Sequence, residues 1–316
     1  IGDHRQLPPT LKEIDDEGFQ ATLEEIGETN LALEWQTKAD MKVSQFKKLI
    51  SNAPKEIIGV FNLQYRMHPQ INNVIRQFYL EDGGLNPGPE LIENCELHYN
   101  TNHPLSRYHG FSHEGFITPD IHTLWINVDE PERKDGFSYV NDGEVEAIRR
   151  VLNYIKNSDG FKEYSDYWIS KNKLEENEIG IISFYAKQLG ALKQMLNQVQ
   201  GLNVRLKTVD RFQGMEKNII IVSTVRSNKK IDFQNQIQNF SEYPNNNGYT
   251  KNNSLGFANS PERINVALSR AKRLLIVVGN SDHFATNLIY RNVIETIKNN
   301  STNSETYIDY KNLNLY

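Results

Sequence analysis

"NIIIVSTV", residues 218 to 225, is apolar from Ile219 to Val222 and long enough for a strand but not for a helix of ordinary length. A strand that faces water on one side alternates apolar with polar residues, whereas one apolar throughout is covered on both faces. "RLLIVVG" (273–279) has the same character, and "EIIGVF" (56–61), "HTLWINV" (122–128) and "EIGIISF" (178–184) read as further strands. Between them, "PQINNVIRQFYL" (69–80), "NDGEVEAIRRVLNYIKN" (141–157), "AKQLGALKQMLNQV" (186–199) and "SPERINVALSRAK" (260–272) carry helical spacing. Buried strands alternating with helices predict an α/β fold, a parallel sheet with helices on both faces. In such sheets ligands are expected beyond the carboxyl ends of the strands.

The bulk properties narrow the function. At 316 residues the chain is roughly two domains long, and its net charge of −5 gives no global basic footprint, so any nucleic acid must be held by a local groove. No apolar run approaches the ~20 residues of a membrane helix, so no membrane is expected among the partners. The opening "IGDHRQLPPT" has neither an initiator methionine nor a signal pattern and looks cut from a longer chain. A single cysteine, Cys95, allows no intramolecular disulfide framework and fits a reducing, intracellular compartment, cytoplasmic or nuclear. The helical pattern "MKVSQFKKLI" (41–50) closes a unit distinct from the sheet, which divides the chain into residues 1–54, the sheet domain 55–300 and a tail 301–316. Residues 81–120 read as an irregular connection and 229–256 as an asparagine-rich insertion.

Three stretches carry chemistry. In "LQYRMHPQI" (63–71) a flat ring and a five-donor fork, Tyr65 and Arg66, precede the helix at what reads as a strand's carboxyl edge. In "SPERINVALSRAKR" (260–273) Ser260 is a good N-cap and Pro261 suits the first turn. Arg263 and Arg270, about two turns apart, are expected on one face of that helix. In "TVDRFQGMEKNIIIVSTVRSN" (208–228) a one-glycine turn leads into the buried strand, which ends in polar groups. Taken singly, Tyr65 reads as well as a core tyrosine, Arg66 as half of a surface ion pair, and Thr208, Arg226 and Ser227 as ordinary strand-end residues.

Their order is the specific signal. "GDHRQLPP", "LQYRMHP", "IGIISFYAKQ", "TVDRFQGMEKNIIIVSTVRSN" and "RINVALSRAKRLLIVVGN" follow one another as do the third to sixth motifs of superfamily 1 helicases of the up-frameshift and immunoglobulin-mu-binding-protein type, which the chain resembles from Ile1 to about Asn280. The resemblance implies a RecA-like (P-loop NTPase type) second lobe, preceded by the end of a first RecA-like lobe, with ATP between the two. It implies that Gln6 senses the phosphate end, Tyr65 stacks on adenine, Glu216 in the turn at Gly214 bonds the ribose, and Arg66 and Arg270 reach the γ-phosphate. Ser183, Thr208, Arg226 and Ser227 match positions facing single-stranded RNA or DNA, on which such proteins translocate, usually 5′ to 3′. The chain departs from the family at Arg211, Met215 and Asn218, and "ISFYAKQ" stands where "ITPYxxQ" is common.

No G-x-x-x-x-G-K-[ST] loop occurs, nor a D-E pair ahead of "GDHRQLPP" to hold Mg²⁺. The expectation is a C-terminal part of a helicase that supplies arginines and a base stack but does not hydrolyse ATP alone, with Mg²⁺ bound mainly elsewhere. The alternative is a non-catalytic module that clamps nucleic acid or protein. Cys95, His98, His103, His109 and His113 have zinc-like spacing, but a polar connecting loop without metal is the preferred reading. Asp142, Glu144 and Glu146 are read as acidic residues favouring a helix N-terminus.

Overall fold

A computed structural model of the chain describes residues 2–7, 45–113, 116–227, 253–301 and 305–313. The chain divides into two compact units, Ile1–Phe61 and Asn62–Tyr316. In the first, helix Gln45–Asn52 is followed by a 3-10 turn at Lys55–Ile57. "EIIGVF", expected as a strand, is not one: past that turn it joins no ladder, and Ile57, Val60 and Phe61 are exposed. An apolar run becomes a strand only where a neighbour accepts its backbone hydrogen bonds. Most of the asparagine-rich insertion lies outside the described residues.

The second unit is built on six strands: β1 (Thr123–Asn127), β2 (Ile179–Ser183), β3 (Val204–Thr208), β4 (Lys217–Ser223), β5 (Ala271–Gly279) and β6 (Tyr307–Asp309). They lie in the order β6-β1-β5-β4-β2-β3, every pairing parallel. This is the parallel sheet of a RecA-like α/β fold. All seven residues of β4 are buried, as its apolar run predicts. Alternate residues serve opposite faces. Ile219 and Ile221 join the core formed with α2 (Asp142–Asn157), α3 (Phe161–Ser170) and α4 (Ala186–Leu196), while α1 (Pro69–Arg76), α5 (Pro261–Leu268) and α6 (Leu288–Lys298) supply a second helical layer packed on β5, β4 and β1.

Three strands or segments depart from the sequence reading. β3, "VRLKT", alternates apolar with basic residues and is only partly buried, the pattern of a charged edge strand. Residues 301–316, read as a tail, supply β6, the opposite edge. The connection 81–120 contains helix Pro89–Asn94 and buries Tyr99, Phe111, Phe116, Ile117 and Ile121, so much of it is core.

The helix expected over 260–272 stops at Leu268, and β5 begins three residues later. Between Lys217 and Ile219 the register of β4 against β5 slips, Lys217 facing Ala271 but Ile219 facing Leu274. The extra residue on β5 is a bulge, which re-aims the side chains beside it. Lys272 and Arg273 lie within it.

Candidate nucleotide-binding site

The side chains that converge on a cavity do so at the amino ends of β4 and β5, not at the carboxyl ends where a ligand is expected. The cavity is about 520 Å³ and is lined by Tyr65, Arg66, Glu176, Glu216, Lys272 and Arg273, among others. Tyr65 and Arg66 reach it from a tight turn between Leu63–Gln64, paired with Asn86–Pro87, and α1. Gln64 Oε1 accepts from the backbone N–H groups of Arg66 (2.8 Å) and Met67 (2.9 Å), and its amide donates back to Met67 O (3.0 Å). The Tyr65 ring lies against Gly88, where any Cβ would fall 2.2 Å from Cε1 of the ring. His68 caps α1, its Nδ1 accepting from Gln70 N, and its backbone N–H donates to Lys272 O at 2.9 Å, which ties the turn to β5.

Arg107 holds the backbone of the pair. Its Nη2 donates to Tyr65 O (2.6 Å), its Nε to Arg66 O, and its Nη1 to Pro104 O (2.9 Å) and Ser106 O (2.7 Å). Burial and then the neighbouring Arg273 push its pKa down to about 10, so it stays charged at neutral pH. Arg273, buried against the Trp168 ring at 5.6 Å, donates to Asn218 Oδ1 (3.1 Å). Asn218 returns a bond from its amide to Glu176 O (2.8 Å), giving the unexpected asparagine a structural task.

Glu216 is the centre of the charge. Arg66 Nε lies 2.6 Å from its Oε2, and Lys272 Nζ lies 3.1 Å from Oε1 and 3.2 Å from Glu176 Oε1. Partial burial raises the Glu216 pKa, but the Lys272 ammonium and the Arg66 guanidinium outweigh it and hold the carboxyl below its usual range. Gly214, at φ 82°, occupies a left-handed position in the turn before Glu216 that other residues rarely adopt.

Arg270 is not among the cavity-lining side chains. It is 2% exposed, with Nε donating to Val266 O (3.0 Å) and Nη2 to Ser269 Oγ (2.7 Å). Nor does it share a helix face with Arg263, because α5 ends before it; Arg263 instead pairs with Asp210 at 3.2 Å. Gln6 belongs to the first unit, where its amide donates to Asp3 Oδ2 at 2.9 Å.

The expected nucleic-acid residues do gather at one place, the carboxyl edge, where Ser183 stands level with Thr208 and Ser223. Ser183 and Ser227 are fully buried and Arg226 is 8% exposed, whereas Thr208 is half-buried. Arg226 Nε donates to Glu132 Oε1 (3.0 Å), and Ser227 N to Glu132 Oε2 (2.7 Å). Behind them is Glu144, fully buried, accepting from Ser223 Oγ (2.6 Å), Thr224 Oγ1 (3.2 Å) and Val225 N (2.7 Å). Val225 has φ 73°, unusual for a β-branched residue. Burial outweighs these bonds and pushes Glu144 up to about 8.

The histidine-rich loop spends its rings on turns. Nδ1 of His98, His103 and His109 each accepts from the backbone N–H two residues on, and His109 Nε2 bonds Ile121 O at 2.8 Å. Among the described residues, His68, Cys95 and Glu96 lie close enough to share an ion. Since His68 Nδ1 accepts from Gln70, the proton of the neutral ring is on Nε2, aimed at Glu96 Oε1 at 2.8 Å, which leaves no ligating lone pair there. Burial also pushes the Cys95 thiol up to about 11.

Arg107, Lys272, Glu176 and Glu144 are functional candidates that the sequence reading missed. Lys272 lies inside the stretch "RINVALSRAKRLLIVVGN", and Glu144 shows in the sequence only as an acid near a helix start. For Arg107, in an aperiodic connection, the sequence offers no signal.

A parallel sheet of RecA-like form is the fold that the resemblance to superfamily 1 helicases implies. Comparison with known proteins agrees: residues 41–282 match AAA_12, a family described as an AAA domain, and the chain belongs to that family, helicases of the up-frameshift type. It is 27% identical to the DNA polymerase alpha-associated DNA helicase A of Saccharomyces cerevisiae over 88% of this chain and 33% of that protein. It is 26% identical to an uncharacterized ATP-dependent helicase of Methanocaldococcus jannaschii, over 94% of the chain and 34% of the relative. A third relative, putative regulator of nonsense transcripts 1 of Takifugu rubripes, is 26% identical over 83% of the chain and 20% of that protein. The chain thus spans about a third or less of the length of these relatives. Among the described residues no helix is long and apolar enough to cross a membrane.

Proposed function

We propose that the amino-edge cavity is one wall of an ATP site, and that the chain acts as the second RecA-like lobe of an ATP-dependent helicase or translocase moving 5′ to 3′ on single-stranded DNA or RNA. The observation that carries this reading is the convergence of Tyr65, Arg66 and Glu216, from two distant stretches of sequence, on one cavity. A half-exposed ring offers a base its face, a guanidinium and an ammonium offer charge-assisted donors to phosphate oxygens, and a carboxylate accepts from ribose hydroxyls. The donor set therefore fits ATP. Tyr65 would hold adenine, Glu216 beside Gly214 the ribose, and Arg66 with Arg270 the γ-phosphate, while Gln6 and most of the Mg²⁺ ligands belong to the first lobe. When bound, ATP supplies the phosphoanhydride whose hydrolysis drives movement.

The chain's own part is positioning and charge. Arg107 fixes the turn that carries Tyr65 and Arg66, and the Arg66–Glu216 pair, about 40% exposed on each side, is of the kind worth roughly 0–1 kcal/mol and readily exchanged. Arg270 reaches a phosphate only by giving up its bonds to Val266 and Ser269, so its engagement requires a different side-chain arrangement. Nucleic acid would run along the carboxyl edge, touching Thr208, with Ser183, Arg226 and Ser227 holding that edge in shape.

In the protein carrying both lobes, Arg66→Ala and Arg270→Ala are each expected to lower ATP turnover by about 10³-fold or more. The 316-residue chain by itself is expected to show no turnover. Hydrolysis by this chain that survives Arg270→Ala overturns the reading.

A further inference from the structure

Beside the carboxyl edge stands a two-stranded antiparallel hairpin, Arg133–Asp135 with Ser138–Val140. Its loop is two residues, Gly136 and Phe137, and Gly136 at φ 62° supplies the positive angle that such tight turns demand at their first position. Phe137 stands at the tip with its whole surface in water, at 105% relative exposure. A single exposed apolar residue is ordinary, so the tip matters through what adjoins it.

Two residues further along the hairpin, the Tyr139 ring lies 4.2 Å from the Arg226 guanidinium and edge-on to Tyr185 at 5.5 Å. Tyr185 is followed by Phe257 at 5.4 Å, itself 54% exposed, and the Arg263 guanidinium lies 5.5 Å from the Phe257 ring. Tyr185 Oη also accepts from Phe257 N and from Arg226. Three rings thus run from the hairpin to α5, the middle one, Tyr185, buried, with Arg226 packed against the first and Arg263 against the last. Arg133, Lys134 and Lys187 add exposed cations around the hairpin. Since Arg226, Ser183 and Ser227 are buried, these flanking groups are the ones a strand passing the edge meets first.

We infer that the 133–140 hairpin is a base-stacking finger, with Phe137 taking the face of a nucleobase and Tyr139 and Phe257 continuing the platform along one single-stranded DNA or RNA. The inference rests on the nucleic-acid reading proposed above and gives it a specific contact. Rings interleaved with cations are what sequence-tolerant single-strand binding uses, because every base has a π-face and every nucleotide a phosphate. The hairpin itself is held from behind: Arg133 Nε pairs with Asp142 at 2.6 Å, Lys187 with Asp135 at 3.4 Å, and the buried Arg226 and Glu132 pair anchors the Tyr139 side.

The test is binding of fluorescein-labelled 20-nucleotide oligo-dT and oligo-U to the full chain across a salt series, with wild type, Phe137→Ala, Phe137→Trp and Lys134→Ala. Loss of one stacked base is expected to weaken Phe137→Ala by roughly 5- to 150-fold while leaving the slope of affinity against salt unchanged. Lys134→Ala is expected to lessen that slope instead. Phe137→Trp retains affinity, and its added indole emission falls when oligonucleotide is bound. Position 137 is wholly exposed, so the fold survives each change at it. If wild type binds neither oligonucleotide, the nucleic-acid reading falls and the finger with it. If wild type binds, but Phe137→Ala binds equally well and the Phe137→Trp emission does not move, the finger is overturned and the nucleic-acid reading stands.

Discussion

The two edges of this one sheet are built on opposite principles. At the amino edge, Arg66, Glu216 and Lys272 form short ion pairs that water reaches, and they line an open cavity. At the carboxyl edge, Glu144, Ser223, Gln188 and Asn141 form a closed network in which Gln188 Nε2 donates to Ser223 Oγ (3.0 Å) and Asn141 N donates to Gln188 Oε1 (2.9 Å). Exposed pairs contribute little to stability and exchange partners at little cost, which suits groups that must let a ligand in. Buried networks are costly to break and fix a backbone, here the 223–227 segment with Val225 in its left-handed conformation. On the proposed reading, the difference divides polar residues into those placed to meet a ligand and those that hold a surface for one.

The largest stability effect is expected at the closed edge. Glu144→Ala strands the Val225 N–H and frees the bonds of Ser223 and Thr224, and is expected to cost roughly 2–4 kcal/mol in urea unfolding. Glu144→Gln keeps the shape and is expected to cost much less. The pH dependence has a definite sign. Glu144 keeps its proton in the folded chain up to about pH 8, whereas its ordinary value is 4.5. Between those values the unfolded chain binds fewer protons, so this group makes stability fall as pH rises through that window. Glu144→Gln should remove that part of the slope. A Glu144→Ala chain as stable as wild type would break the contrast between the edges.

A smaller stability effect, but a functional one, is expected at the open edge. Arg107→Ala removes the fork that holds the carbonyls of Tyr65 and Arg66, and ATP affinity is expected to drop about tenfold, read by titration calorimetry. Arg107→Lys should restore little of it, because one ammonium cannot span both carbonyls as the planar fork does. Unchanged affinity would mean that the turn holds its shape without Arg107.

Much of the sheet was legible because β4 and β5 each carry an unbroken apolar run, Ile219–Val222 and Leu274–Val278, too short for an ordinary helix. Composition could not show where the strands end. The bulge that moves Lys272 into the cavity is a register slip, and the helix pattern at 260–272 runs on through residues that the chain uses to enter β5. "EIIGVF" and "VRLKT" show the converse: the more apolar run is not a strand, and the alternating one is, because pairing decides and not hydrophobicity alone. Tyr65, Arg66 and Glu216 were readable from motif order. The choice of sheet edge was not, since the general preference for carboxyl ends points away from the edge where these side chains converge. Arg107 acts through backbone carbonyls 41 and 42 residues away, a relation that no local pattern records.

The most direct test compares the two edges in one experiment: hydrogen–deuterium exchange of the protein with and without saturating ATP. Protection is expected in peptides covering 63–68 and 214–218, which carry Tyr65, Arg66 and Glu216, with little change in 223–227. Protection confined to 223–227, with 63–68 exchanging as before, would contradict the assignment of the nucleotide to the amino edge.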